Sequence, residues 1–159
     1  MNTTVRVNPL LRVPPPLLFV LTFLAGAGIQ QRAPLALNSP AVLRVEHVAG
    51  IALAGVGVLL ALTCLRMFLT ARTTVIPHRT ASRLLTHGPY RFTRNPMYLS
   101  LVLVYLGVAA LTGLVWPLVL LPLPVLLVDR LVIPYEEARL RQAFGNACEE
   151  YFSRVRRWL

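Results

Sequence analysis

The sequence predicts an all-α integral membrane bundle of about four transmembrane helices, with a C-terminal amphipathic helix on the cytoplasmic side. Three observations predict it. Hydrophobic residues make up 56% of the 159 residues and charged residues only 14%, against about 25% charged in an ordinary soluble domain. The apolar residues come in long continuous runs rather than alternating ones, which favours helices over a barrel, the two structures that lipid admits. The basic residues, all arginine, cluster between and after those runs. A single domain, 1–159, is the natural count at this length.

The first span is expected at about 14–31. Pro14, Pro15 and Pro16 open it, as prolines can in a first helical turn. Arg6, Arg12 and the Ala25-Gly26-Ala27 sequence also resemble a cleavable signal peptide. The full-length run and the prolines favour a retained helix. The second span, about 47–69, is interrupted only by Arg66, which can snorkel to the interface. The run from Asn95 to Val128 is too long for one ordinary span, and Thr112-Gly113 near its middle predicts a tight turn. A hairpin of spans at about 97–111 and 114–133 follows. The tail then reads as one amphipathic helix over 135–156. Leu140, Phe144, Ala147, Tyr151 and Val155 form its stripe, and the helix lies on the membrane or closes over the loop.

Arginine placement sets the expected orientation. The stretch from Arg72 to Arg94 holds five arginines and no acid, and six more arginines follow Val128. The positive-inside rule therefore puts the 71–96 loop and both termini in the cytoplasm. A formal charge of +10 and a pI near 11.2 would suggest nucleic acid in a soluble chain. With a mean hydropathy of +0.64, a basic face on anionic lipid explains the charge better, and no nucleic-acid partner is expected. Without lysine, Schiff-base and P-loop mechanisms are excluded. Cys64 and Cys148 form no CxxC pair, and His47, His78 and His87 have no ligand spacing, so no metal site is expected.

Two segments carry chemistry. The first runs from His87 to Tyr98 and includes Gly88-Pro89-Tyr90-Arg91 and Arg94-Asn95-Pro96-Met97. It enters a membrane helix at Pro96, where the unsatisfied amide N–H groups of the first turn and the adjacent Arg94 attract an anion. A positive-inside loop with interfacial tyrosines explains the same residues without a ligand. The second is Pro134-Tyr135-Glu136-Glu137, two acids at the same expected membrane face. Acids in a first helical turn suit its dipole, and Glu137 with Arg141 has the favourable i,i+4 order. Taken together, a carboxylate pair facing an arginine and a helix N-terminus makes a zwitterion site that fits an amino acid moiety. Gly55-Val56-Gly57 within the second span reads as helix packing. Asp129-Arg130 reads as an interfacial charge pair.

These pieces resemble the isoprenylcysteine carboxyl methyltransferase and phospholipid methyltransferase superfamily. Its loop reads Gly-x-Tyr-Arg-x-x-Arg-His/Asn-Pro-x-Tyr, followed by a hairpin and a Glu-Glu pair. Here the loop is Gly88 to Tyr98 and the pair Glu136-Glu137, followed by Leu140, Phe144-Gly145 and Tyr151. Thr74-Val75-Ile76-Pro77-His78 resembles the lead-in of bacterial members, and the likeness runs from about Gly55 to Trp158. Asn95 stands where the prenylcysteine enzymes usually carry histidine, and Tyr98-Leu99-Ser100 where Tyr-x-Gly is frequent.

The resemblance implies an integral-membrane enzyme of the bacterial inner membrane, with S-adenosylmethionine as cofactor and a lipid or small hydrophobic methyl acceptor. It implies a cofactor site from Gly55, Gly57, His87, Gly88, Tyr90, Arg94, Asn95, Pro96, Met97, Tyr98, Glu136 and Glu137. Arg94 and Glu137 would be catalytic, Arg94 (or else Arg91) orienting an anionic acceptor, or Glu137 serving as base for an amine. An isoprenylcysteine-type carboxylate, a phosphatidylethanolamine-type amine, a small thiol and an isoprenoid lipid remain alternative acceptors. A membrane reductase and a non-catalytic membrane scaffold are the alternatives of other classes.

Overall fold

A computed structural model describes residues 13–35, 40–71 and 83–159, with side chains from Glu46 onward in the second of these stretches. Arg6, Arg12 and the Thr74–His78 lead-in lie outside the described residues. Those described form helices and turns, with no strand among them. In chain order the α-helices are α1 (Pro15–Arg32), α2 (Pro40–Thr70), α3 (Pro96–Thr112), α4 (Val115–Leu120), α5 (Pro122–Leu127), α6 (Ile133–Phe144) and α7 (Asn146–Arg154). A 3-10 turn, Gly88–Arg91, precedes α3, and a π turn, Val128–Val132, joins α5 to α6.

Among the described residues two stretches are long and apolar enough to cross a membrane: Glu46–Thr70, and Val115–Phe144, in which α4 to α6 run on as one helix. The third, Pro96–Thr112, is shorter. Both long stretches are mostly unburied within the chain. Leu21, Leu24, Ile51, Leu59, Leu123 and Leu126 are among the large apolar side chains exposed along these helices, a surface that lipid would cover and water would not.

Glycines set the helix spacing. A Cβ on Gly107 of α3 would lie 2.5 Å from the backbone nitrogen of Ala54 in α2, and one on Gly57 would lie 2.9 Å from the backbone nitrogen of Val104. Across the bundle, a Cβ on Gly26 of α1 would meet Pro117 of α4 at 2.7 Å. Small residues allow this approach, and dispersion between the backbones stabilises it. The turn expected at Thr112-Gly113 is present: Gly113 takes φ +64° and its N–H returns to the carbonyls of Ala109 and Ala110, a left-handed cap that suits glycine.

Proline shapes the last long helix. Pro122 has no N–H to offer Leu118, and the Leu121 N–H turns to Leu118 instead. The Pro117 carbonyl thereby loses its helical partner and accepts the Tyr105 hydroxyl at 2.9 Å. This bond joins α3 to α4 within a core of Phe19, Tyr98, Tyr105, Val128, Val132 and Ile133.

The C-terminal helix differs from expectation. Instead of one helix over 135–156 there are two, which meet at Gly145 with φ +50°. Tyr151 of the predicted stripe is buried in the second helix. Cys148 is fully buried while Ala147, a member of the predicted stripe, is exposed.

Candidate active site

The site forms where the 3-10 turn, the start of α3, the start of α6 and the C-terminal residues meet. Tyr90 is buried against Cys64 and Leu85 and stands edge-on to Phe68 at 6.1 Å. Burial first, then the nearby Cys64, Tyr151 and Glu136, holds its phenol protonated well above the usual range. The Tyr151 hydroxyl donates to the Tyr90 carbonyl at 2.9 Å, which pins α7 to the loop. Burial also raises the Tyr151 phenol to about 12.

Residues 93–95 bind the C-terminal segment. The Arg94 N–H donates to the Arg156 carbonyl at 2.9 Å. The Thr93 hydroxyl and the Asn95 amide both donate to the Arg157 carbonyl, at 3.0 and 2.9 Å. Asn95 therefore holds the C-terminal segment and does not cap α3, whose first turn has no side-chain cap.

The carboxylates are shared out among named partners. Arg157 donates to Glu137 from Nε at 3.2 Å and from Nη2 at 2.9 Å. Arg94 Nη1 stands 3.5 Å from the same carboxylate. The hydrogen bonds to Glu137 are the main reason the Arg157 guanidinium is held above its ordinary value. The expected pairing of Glu137 with Arg141 does not form, because Arg141 reaches Glu149 at 2.8 Å and the two stronger-placed arginines take Glu137. Glu136 accepts the Tyr98 phenol at 2.7 Å. Asp129 forms the expected pair with Arg130 at 3.5 Å, and it also accepts the Trp158 indole N–H at 2.9 Å.

Arg94 is the most constrained of these cations. Its guanidinium lies over the Phe152 ring at 4.3 Å. Its Nε is buried and meets no hydrogen-bond acceptor. An unsatisfied buried donor costs about 1–3 kcal/mol, so an acceptor brought by a ligand would bind favourably there.

The structure thus gathers Tyr90, Arg94, Asn95, Pro96, Met97, Tyr98, Glu136 and Glu137 at one end of the bundle. Gly88 lies beside them, with φ +59° and Met67 within about 3 Å of where its Cβ would stand. Gly57 packs on α3 and Gly55 faces open space. Gly57 stands seven residues before Cys64 along α2, about 10 Å of helix. His87 is exposed and lines a separate cavity with Arg66 and Arg83. Sequence reasoning missed Thr93, Phe152, Arg157 and Trp158. Only the Arg-Arg-Trp ending offered a signal, and it reads equally well as the flank of an amphipathic helix.

Against the known families, the model for phospholipid methyltransferase matches residues 45–147. The chain belongs to that family. The match begins in α2 and ends in α7, so it takes in the loop and both acids. No curated protein and no solved structure matches the chain. Membership in the phospholipid methyltransferase family, together with the apolar helices, points to a membrane methyltransferase.

Proposed function

We propose that the chain transfers a methyl group from S-adenosylmethionine to a membrane lipid at the cytoplasmic face of a bacterial inner membrane. In this reading α1, α2, α3 and the α4–α6 helix are four membrane passes, with both termini and the 71–96 loop in the cytoplasm. Arginine placement supports the orientation, since the described loop and tail arginines gather at the end of the bundle where the acids lie.

The observation that carries the proposal is Arg94, a buried guanidinium with an unsatisfied Nε beside an uncapped helix start. Both features fit a carboxylate. Glu136, whose hydrogen bond comes from Tyr98 alone among the described residues, fits an ammonium group. S-adenosylmethionine carries both groups and supplies, when bound, a methyl carbon activated by its sulfonium. Tyr90 and Tyr98 wall the space between the two acids and the loop. Tyr98 orients the Glu136 carboxylate, and the loop with α7 shields the site from water. Alignment is what such a displacement needs most.

Glu137 has a narrower part. Arg157 already occupies both of its oxygens, so service as a base for an amine acceptor requires Arg157 to let go. An isoprenylcysteine-type carboxylate needs no base, and Arg94 can orient it. A phosphatidylethanolamine-type amine needs that release.

The test is calorimetric binding of S-adenosylmethionine and S-adenosylhomocysteine to detergent-purified protein, with Arg94→Ala and Glu136→Gln alongside. Binding to the parent at micromolar concentration, lost in both variants, is the expected result. Absence of binding by folded protein, repeated in lipid nanodiscs, would sink the proposal and favour a scaffold. Methyl transfer from radiolabelled cofactor into extracted lipids then identifies the acceptor.

A further inference from the structure

At its C-terminal end α2 turns one face toward an open cavity of about 420 Å³. Thr63, Arg66, Met67 and Thr70 line it from α2, and Arg83 and His87 line it from the segment before the 3-10 turn. The α2 positions are spaced i, i+3, i+4 and i+7, a single helix face. The opposing segment is seated by Leu85 and Tyr90, which pack on Cys64, and by Met67 beneath Gly88. Two arginines from separate parts of the chain thus face one space.

Nothing acidic balances them. Among the described residues no carboxylate pairs with Arg66 or Arg83. Asp129, Glu137, Glu149 and Glu150 are engaged by other arginines, and Glu136 by Tyr98. Glu46 stands on the same helix, twenty residues before Arg66, a rise of about 30 Å. The Thr63 and Thr70 hydroxyls donate to the carbonyls of Leu59 and Arg66, at 2.7 and 2.8 Å. Their oxygens are left to accept from a ligand. Two guanidiniums with neighbouring acceptors suit a phosphate that carries a hydroxylated or amine-bearing headgroup.

The flank of the same helix says what else the ligand carries. Leu59, one turn before Thr63 on the cavity's face of α2, and Leu62 and Leu69 on the flank of that face are 66, 51 and 68% exposed. An amphiphile with a phosphate at one end and acyl chains along this ridge satisfies both surfaces, as basic pockets at a membrane's edge do.

We propose that this cavity holds the phosphodiester of a membrane phospholipid between Arg66 and Arg83, with its acyl chains along the leucine ridge of α2. Arg94, Tyr98, Glu136 and Glu137 do not line it, and the inference stands whether or not the chain transfers methyl groups.

Native mass spectrometry of the protein in dodecyl maltoside, titrated with dioleoylphosphatidylglycerol, tests it. The parent and an Arg154→Gln control should retain one lipid. Arg66→Gln/Arg83→Gln should need at least tenfold more lipid for the same occupancy. Arg83→Glu, a change at an exposed side chain that leaves α2 intact, should behave likewise and decides the matter if the double variant does not fold. Dioleoylglycerol, which lacks the phosphate, should not be retained. Equal retention by parent and Arg83→Glu, or of dioleoylglycerol and phosphatidylglycerol, would overturn the proposal. Protection from heat by inorganic phosphate without any lipid adduct would also overturn it, and would mark a site for the free anion.

Discussion

Arg157 clasps Glu137 through both carboxylate oxygens, at 3.2 and 2.9 Å, from a position twenty residues further along the chain. The clasp closes a ring: the Arg157 carbonyl accepts from Thr93 and Asn95, and its side chain holds the first turns of α6. One residue thereby fixes the loop, α3 and α6 relative to one another.

The strength of that clasp can be measured. Glu137 is 8% exposed and Arg157 32%, between the exposed pairs that contribute under about 1 kcal/mol and the buried ones whose rupture costs about 3–5 kcal/mol. A double-mutant cycle of Arg157→Gln and Glu137→Gln, by denaturation in detergent, should give a coupling of about 1–3 kcal/mol. Glu137→Gln should be the more damaging single change, because it leaves Arg94 without its acid and Arg157 with only Asp129 at 3.5 Å. Equal effects of the two single changes with no coupling would show the clasp to be energetically idle.

The two glycine types in the membrane helices predict opposite outcomes. Gly107→Ala would force a Cβ to within 2.5 Å of the Ala54 backbone, and neither helix can give way without separating, so a loss of about 1–3 kcal/mol is expected. Gly55→Ala meets nothing within 4 Å and should be neutral or slightly stabilising, since alanine favours the helix by about 0.8–1.0 kcal/mol. Melting curves separate the two. If Gly55→Ala instead keeps its melting temperature and loses S-adenosylmethionine, Gly55 belongs to the cofactor site that the family resemblance implies.

Helix positions were legible in the sequence because they follow from local signals. Pro14 to Pro16, Thr112-Gly113 and Pro96 mark the start of α1, the hairpin turn and the start of α3 to within a residue or two. The meeting of the loop with Glu136-Glu137 was legible too, because both flank helices that end at one face. The C-terminal docking was not. Gly145 can serve as a helical residue or as a break, and only tertiary contacts decide it. Here Tyr151 bonding to the Tyr90 carbonyl, and Arg157 reaching Glu137, draw the chain into the turn. The partners of Glu137 are long-range, so no local spacing rule could have named them. The i,i+4 rule named Arg141 instead.

Alkali should loosen this docking. Cys148 and Tyr151 lie on α7, and burial raises both: the thiol from about 9, the phenol from about 10 to about 12. As pH rises, the unfolded chain gives up these protons before the folded one does. The folded state then holds more protons, and stability falls. Both contributions are complete below pH 9; the loss begins above that with the thiol, and the phenol's part is lost between about pH 10 and about pH 12. The melting temperature should therefore stay level across this pair's neutral range and decline above pH 9. Cys148→Ala should remove the earliest part of the decline. A curve that stays flat to pH 11 would mean that α7 is undocked in solution.

Tyr98 offers a test of function against structure. Its phenol donates to Glu136 at 2.7 Å, and a hydrogen bond to a charged group contributes about 1.5–3 kcal/mol. Tyr105, nearly two turns further along α3, donates to a neutral carbonyl at 2.9 Å. Phenylalanine at either position keeps the ring in its packing. Tyr105→Phe should lower stability by about 1 kcal/mol and leave cofactor affinity unchanged. Tyr98→Phe frees the Glu136 carboxylate to rotate, so affinity for S-adenosylmethionine should fall about tenfold, 1.4 kcal/mol. Calorimetry and melting on both variants separate the roles. If the two change stability alike and affinity not at all, Tyr98 is a packing residue and Glu136 does not hold the ammonium group.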